Sequence, residues 1–219
     1  MSLLVYALAS REVGPLRLRG VRAERLETVR IGSIDAIVGT MTTPPRPTAR
    51  VLRQYDHVIR ALWARRGAVL PARFTSVMRN RSELELTLRV RQSTFRRQLA
   101  LVRHRAQMTV RLVPGSGIRD PGSAGSPYGR SRGTRYLMHR AGVARLDHIS
   151  DVGVLRAAVK RWIRAERADV RAGVATIYHL VPRTSVPRYQ EAVGRAAAAA
   201  QLRVQVSGPW PAYAFAEAW

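Results

Sequence analysis

The chain has 219 residues, 46% of them hydrophobic, and 38 basic against 14 acidic residues give it a formal charge of +24. Such a length can bury roughly 70% of the extended chain's surface as a single body, so a real core is available. The lack of cysteine excludes disulfides, thiolate metal sites and a cysteine nucleophile, and no run approaches the roughly 18 apolar residues of a membrane helix.

The charge raises a polyanion, nucleic acid first, as a candidate partner. Lys160 is the only lysine, and GC-rich coding accounts for such a choice of arginine but not for the shortage of acids. The basic residues are spread along the whole chain, with no basic arm or helix-turn-helix pattern to concentrate them. Residues 1–9 end in a small-x-small triplet, yet only Met1 and Ser2 precede the apolar residues. Without a basic n-region the stretch reads as a strand, and from the lack of cysteine cytoplasmic residence is expected.

Residues 3–9, 25–31 and 34–39 are short and aliphatic, and predict three strands of one sheet with Gly32-Ser33 as a tight connection. Prolines between Thr43 and Thr48 break regular structure, and Thr48 can cap a helix beginning after it. Val51, Leu52, Tyr55, Val58, Ile59, Leu62 and Trp63 then recur at helical spacing, with Gly67 as the expected C-cap. Residues 69–77 return to extended structure. Residues 82–105 fit two periods: Leu84, Leu86, Leu88 and Val90 alternate as in a strand, while Leu84, Leu88, Phe95, Leu99 and Val102 fit a helix. Another strand is expected at 108–113.

Residues 114–132 hold five glycines and three prolines with almost no large apolar residue, the composition of a linker. The expected division is therefore an N-terminal α+β domain over 1–113, a linker over 114–133 and a C-terminal domain over 134–219. In the latter, Val152, Leu155, Val159, Trp162 and Ile163 share a helical face, and a strand is expected at 174–181. Pro187 can open the next helix, and 202–206 reads as the closing strand. This order makes a split βαβ unit and predicts a ferredoxin-like sandwich.

In the tail, Pro209 and Pro211 bracket Trp210, fixing φ and pushing the preceding residues toward extended geometry. Neither a helix nor a central strand should pass through. If the tail leaves this turn extended, Tyr213 and Phe215 share a face opposite Trp210. These aromatics are either a staple onto the core or an exposed knob for a partner.

Catalytic motifs are missing: there is no G-x-S-x-G elbow, no H-E-x-x-H and no Walker loop. Gly115-Ser116-Gly117 lacks the spacing of a phosphate loop. Asp56 and His57 point about 100° apart on a helix, which suits no acid–base dyad. His139, Asp147 and His148 show no metal-ligand spacing. No catalytic residue, cofactor or metal is expected. Arg73 beside Phe74 offers a guanidinium fork that suits a carboxylate, either as a structural ion pair or as an interface contact.

Several segments resemble one family in the same order along the chain. Leu70-Pro71-Ala72-Arg73-Phe74 resembles an "LPxRF" segment, Gly133-Thr134-Arg135-Tyr136-Leu137 a "GxxYL" segment, and Ala175-Thr176-Ile177-Tyr178-His179-Leu180-Val181 the strand before the last helix. With Ser207-Gly208-Pro209-Trp210-Pro211 and then Tyr213 and Phe215, these are similar to the gas vesicle accessory proteins, the GvpF/GvpL family. The resemblance favours helix over residues 82–105. It implies a non-enzymatic role in gas vesicle assembly, with location at the vesicle. It further implies contact with the hydrophobic shell protein, of GvpA type, and with other accessory proteins. Arg73, Phe74, Trp210, Tyr213 and Phe215 are the candidate interaction or structural residues. A basic nucleic-acid-binding protein is the alternative function.

Overall fold

The structure, a computed structural model, describes residues 1–11, 17–112, 150–171 and 174–216. It divides into two compact α+β units, Met1–Arg105 with Trp210–Trp219 and Ala106–Pro209. The expected linker over 114–133 lies outside the described residues.

In the first unit β1 (Ser2–Ser10) is the hub. It pairs antiparallel with β3 (Ile34–Met41), β4 (Val69–Pro71) and β5 (Val77–Met78), while β2 (Leu26–Ile31) pairs with β3 at the edge. Gly32, at φ +57, takes the left-handed position the β2–β3 turn requires. The register of β1 against β3 slips between Val5 and Ala7, a β-bulge that leaves Tyr6 as the extra residue. Because of the slip, Leu4, Tyr6, Ala7 and Ala9 all join the cluster formed with Tyr55, Val58, Ile59 and Leu62 of α1 (Ala49–Arg65). By alternation, Leu3, Val5 and Leu8 face the other way. That face is covered by α2 (Arg81–Val90) and α3 (Gln92–Val102), through buried Leu84, Leu88, Phe95 and Leu99.

The ambiguous stretch is therefore two helices. Asn80 starts α2, its side chain accepting from the Glu83 N–H at 2.9 Å, while the Glu83 carboxylate accepts from the Arg79 N–H at 2.6 Å. Thr48 caps α1 as expected, accepting from the Val51 N–H at 3.3 Å. Its C-cap, however, is Arg66 in extended conformation rather than Gly67. Burial draws Arg66 there: its guanidinium donates to Asp35 at 3.1 Å and to the Ser10 carbonyl at 3.3 Å. Asp35 is 0% exposed and also accepts two bonds from Arg30, at 2.8 and 3.3 Å. Burial raises the Asp35 pKa, but hydrogen bonds and charge from Arg30 and Arg66 outweigh it and hold the carboxyl below its ordinary range.

The second unit holds β6 (Arg105–Leu112, its first residue in the first unit), α4 (Ser150–Val159), β7 (Ala165–Arg171), β8 (Val174–Pro182), α5 (Val186–Ala199) and β9 (Val204–Trp210, its last residue in the first unit). Its sheet order is β7-β8-β6-β9, so the βαββαβ sequence interleaves as in a ferredoxin-like sandwich, the expected fold class. Two parts of this sheet differ from the sequence expectation. The strand assigned to the N-terminal domain is β6, an inner strand of the second sheet. Strand β7 went unpredicted, because Glu166, Arg167, Asp169 and Arg171 make it look like a loop, and it lies at the sheet edge where charge is tolerated.

Some of that charge points inward. Arg156 of α4 donates to Glu166 of β7 at 2.6 and 3.2 Å, and the other nitrogen-bearing partner of Glu166 is His179 of β8, with Nε2 at 2.9 Å. His179 is 2% exposed, and its Nδ1 lies 2.6 Å from the Tyr189 hydroxyl on α5. The two ring nitrogens of His179 thus bridge Glu166 on β7 and Tyr189 on α5. Burial raises the Glu166 pKa, while the bonds and charges of His179 and Arg156 lower it by more.

The closing strand runs through Pro209 to Trp210 rather than stopping at 206, since β9 is an edge strand and can spare that N–H. Gly208 has φ +122, and a Cβ there would stand 2.8 Å from the Gln107 carbonyl oxygen. Gly208→Ala is accordingly expected to destabilise the protein by about 2 kcal/mol or more, read as a lower urea midpoint. Asp35 gives a second expectation. A depressed folded-state pKa contributes stability that is complete above the unfolded value, about 3.9, and is lost as pH falls through the folded one. Asp35→Asn should cost about 3–5 kcal/mol at neutral pH by leaving Arg66 buried without its anion. Its denaturation midpoint should then fall less than the wild type's between neutral pH and the acid limb.

Candidate functional site

Helix α1 gathers three of the five candidate residues. Its buried stripe presents Tyr55, whose ring stacks on Tyr6 at 5.0 Å and meets Phe74 edge-on at 5.3 Å. One residue on, about 100° around the helix, Asp56 accepts from the Tyr213 hydroxyl at 2.6 Å. One turn further, Arg60 donates to Asp56 at 2.5 Å and lays its guanidinium 4.2 Å from the centre of the Trp210 ring. Arg60 thus serves two partners with different faces, its edge on a carboxylate and its plane on an indole.

The tail is not extended here. After Trp210 it tightens into a 3-10 turn over Tyr213–Phe215, which touches β4. Tyr213 and Phe215 consequently part company rather than sharing a face. Phe215 is 2% exposed and Ala212 is buried with it, whereas Tyr213 keeps 36% of its surface in solvent and Trp210 is half-buried. The tail is a staple through Phe215 and a surface feature through Tyr213 and Trp210, so each reading holds for different residues. Burial raises the Tyr213 pKa, and its bond to Asp56 raises it further, so the hydroxyl stays a donor at neutral pH.

Arg73 and Phe74 also have opposite environments. Phe74 packs inward on Tyr55, while Arg73 is exposed and its side chain has no ion pair or hydrogen bond among the described residues. The structural ion pair expected for Arg73 is not made there. His57, the other half of the rejected dyad, is exposed on α1. His139, Asp147 and His148 lie outside the described residues, as does Gly115-Ser116-Gly117. Among the described residues no cluster of three or more His, Asp or Glu is placed to hold a metal, and no helix is long and apolar enough to cross a membrane.

Sequence reasoning missed Asp56 and Arg60 as partners of the tail. Their mutual i, i+4 spacing was legible, but pairing with Tyr213 spans 157 residues and has no local signal. A cavity of about 810 Å³ beside Arg17, Arg19, Arg25, Leu26 and Thr28 was likewise not foreseen.

Fold and site together define a protein of two α+β units, the second ferredoxin-like, with an aromatic and arginine surface on its first helix. The chain matches the family model for the gas vesicle synthesis protein GvpL/GvpF over residues 2–217, and it belongs to that family. Two solved structures share its fold. The gas vesicle protein GvpF from Anabaena sp. PCC7120 is 14% identical with a TM-score of 0.75, the match covering 100% of this chain and 99% of that one. GvpF from Microcystis aeruginosa is 13% identical with a TM-score of 0.72, covering 99% of each chain. Among curated proteins no relative matches.

The divided roles in the tail predict divided costs. Phe215→Ala should lower stability by about 3–5 kcal/mol, the range for large buried aromatics. Tyr213→Phe should cost no more than about 1 kcal/mol, since its bond to Asp56 is solvent-accessible. Equal losses in paired denaturation curves would contradict this division.

Proposed function

We propose that this chain is a non-catalytic accessory protein of gas vesicle assembly that binds the hydrophobic shell protein, of GvpA type, and other accessory proteins at the vesicle in the cytoplasm. The observation that carries this reading is the surface on α1. Trp210 and Tyr213 present partly exposed aromatic area against Arg60 and Asp56 of α1, and the exposed Arg73 side chain, in the same unit, has no hydrogen bond or ion pair among the described residues. Aromatic and arginine side chains are the types that dominate protein–protein hot spots, because they combine large apolar area with directional donors. Shell subunits must be kept from aggregating before they assemble, and covering their apolar surface requires such a face. Family membership supplies the biological setting. Arg73, Phe74, Trp210, Tyr213 and Phe215 then divide into contacting residues, Arg73, Trp210 and Tyr213, and supporting ones, Phe74 and Phe215.

Trp210→Ala and Arg73→Ala test the reading. Arg73→Ala should change stability by no more than about 0.5 kcal/mol, as exposed substitutions do. Trp210→Ala should cost less than Phe215→Ala. Both should weaken capture of the shell protein in a pull-down, and wild-type capture should persist at high salt. Capture that is unchanged in both variants would remove the proposed surface. Loss of wild-type capture with rising salt, accompanied by tight salt-sensitive binding of nucleic acid, would favour the polyanion function instead.

A further inference from the structure

Helix α2 is apolar on two opposite sides. Residues two apart in an α-helix point about 200° apart, so the alternating Leu84, Leu86, Leu88 and Val90 split into two pairs. Leu84 and Leu88 are 0% exposed against the sheet, while Leu86 and Val90 are 63% and 74% exposed. One turn apart, these two lie side by side. Apart from Met1, no large hydrophobic side chain among the described residues is as exposed. An outer side that met only water would gain no burial from leucine and valine there, and valine lowers helix propensity.

The charges around this pair are one-sided. Residues 79–91 hold four arginines and two glutamates. Both glutamates are engaged, Glu83 by Arg79 and Glu85 by Arg81, at 3.3 and 2.9 Å. Arg89, adjacent to Val90 and one turn from Leu86, is exposed and has no acidic partner among the described residues.

We propose that the outward face of α2, with Leu86, Arg89 and Val90, docks an amphipathic helix carrying acidic residues beside its apolar stripe. Two apolar side chains at i and i+4 match the anchor spacing of helix recognition. The uncommitted guanidinium selects a carboxylate next to them. A second copy of this chain fits poorly, since it brings another +24 and the same arginines to the contact. The face lies on a different helix from α1, against which Trp210 and Tyr213 pack, so the proposal stands independently of the α1 surface.

The test uses the full chain and a labelled synthetic helix with leucines at i and i+4 flanked by glutamates, beside the same helix flanked by lysines. In fluorescence anisotropy the wild type should bind the glutamate helix and not the lysine helix. Leu86→Gln with Val90→Gln should weaken that binding by about tenfold or more, and Arg89→Glu should transfer the preference to the lysine helix. Circular dichroism and Tm should stay at wild-type values in both variants, because all three side chains are solvent-exposed. The proposal fails if the wild type binds neither helix, binds both equally, or loses nothing in the Gln variant. It fails also if sedimentation shows a wild-type dimer that the Gln variant abolishes, for then the face belongs to a second copy.

Discussion

The hydroxyl of Tyr55 lies within 3.0 to 3.1 Å of three carbonyl oxygens, those of Val5, Tyr6 and Ala72. Two belong to the bulge in β1 and the third to the segment after β4, so one phenol ties α1 to the point where the central strand departs from regular pairing. The Tyr6 carbonyl also accepts from the Ala72 N–H at 2.9 Å, so the single phenol proton adds a shared donor at a buried point where polar backbone is costly to leave bare. The bulge in turn places Tyr6 under Tyr55, and the Tyr6 hydroxyl accepts from Val21 at 2.9 Å and donates to Glu24 at 2.5 Å. Burial first, then the bond to Glu24, raises the Tyr6 pKa, keeping that proton in place. With Tyr55 fixed, its helical neighbours Asp56 and Arg60 are fixed as well. The tail therefore meets a rigid helix.

Each unit contains an ionic cluster with a buried member, Asp35 in the first and His179 in the second, that links different elements of its unit, and the two are built differently. Around Asp35 a single carboxylate gathers two arginines and closes the end of α1 onto the β1–β3 pair. Around Glu166 the carboxylate shares its bonds between Arg156 and a histidine that a buried tyrosine in turn supports. Desolvating such groups is costly, and the geometry repays it only when every lone pair and proton finds a partner. Both clusters draw on hydrogen bonds as well as charge, and no buried side-chain nitrogen or oxygen of either lacks a partner among the described residues. They specify how α1 sits on the first sheet and how α4 and α5 sit on the second.

The low identity to the GvpF structures, 14% and 13% over nearly whole chains, shows how little of this fold resides in particular residues. The order of periodicities suffices. The apolar runs of β1 and β8, the helical stripe of α1, and the glycine at 208 where no side chain fits set the architecture. Surface positions are then free to vary, and many are arginine here.

Strand β1, the β2–β3 hairpin, α1, β8 and α5 were all legible in the sequence, because each has an apolar period matching its own backbone and a cap or turn residue at its end. The ferredoxin-like order came from β8, α5 and the closing strand. The doubled period of residues 82–90 could not be resolved locally, since Leu84 and Leu88 serve a helix only if a sheet lies beneath them. Strand β7 was invisible for the opposite reason: Glu166 is partly buried and paired with His179 and Arg156, which no local pattern announces. The unit to which β6 and the tail belong depends on hydrogen bonds and packing to distant strands, so composition pointed to the glycine-rich stretch instead. Likewise the sequence marked Trp210, Tyr213 and Phe215 as a group, but only the turn at 213–215 separated the buried ring from the exposed ones. Periodicity is a property of neighbours along the chain, whereas burial of a charge or exposure of a ring is decided by what the fold brings across from elsewhere.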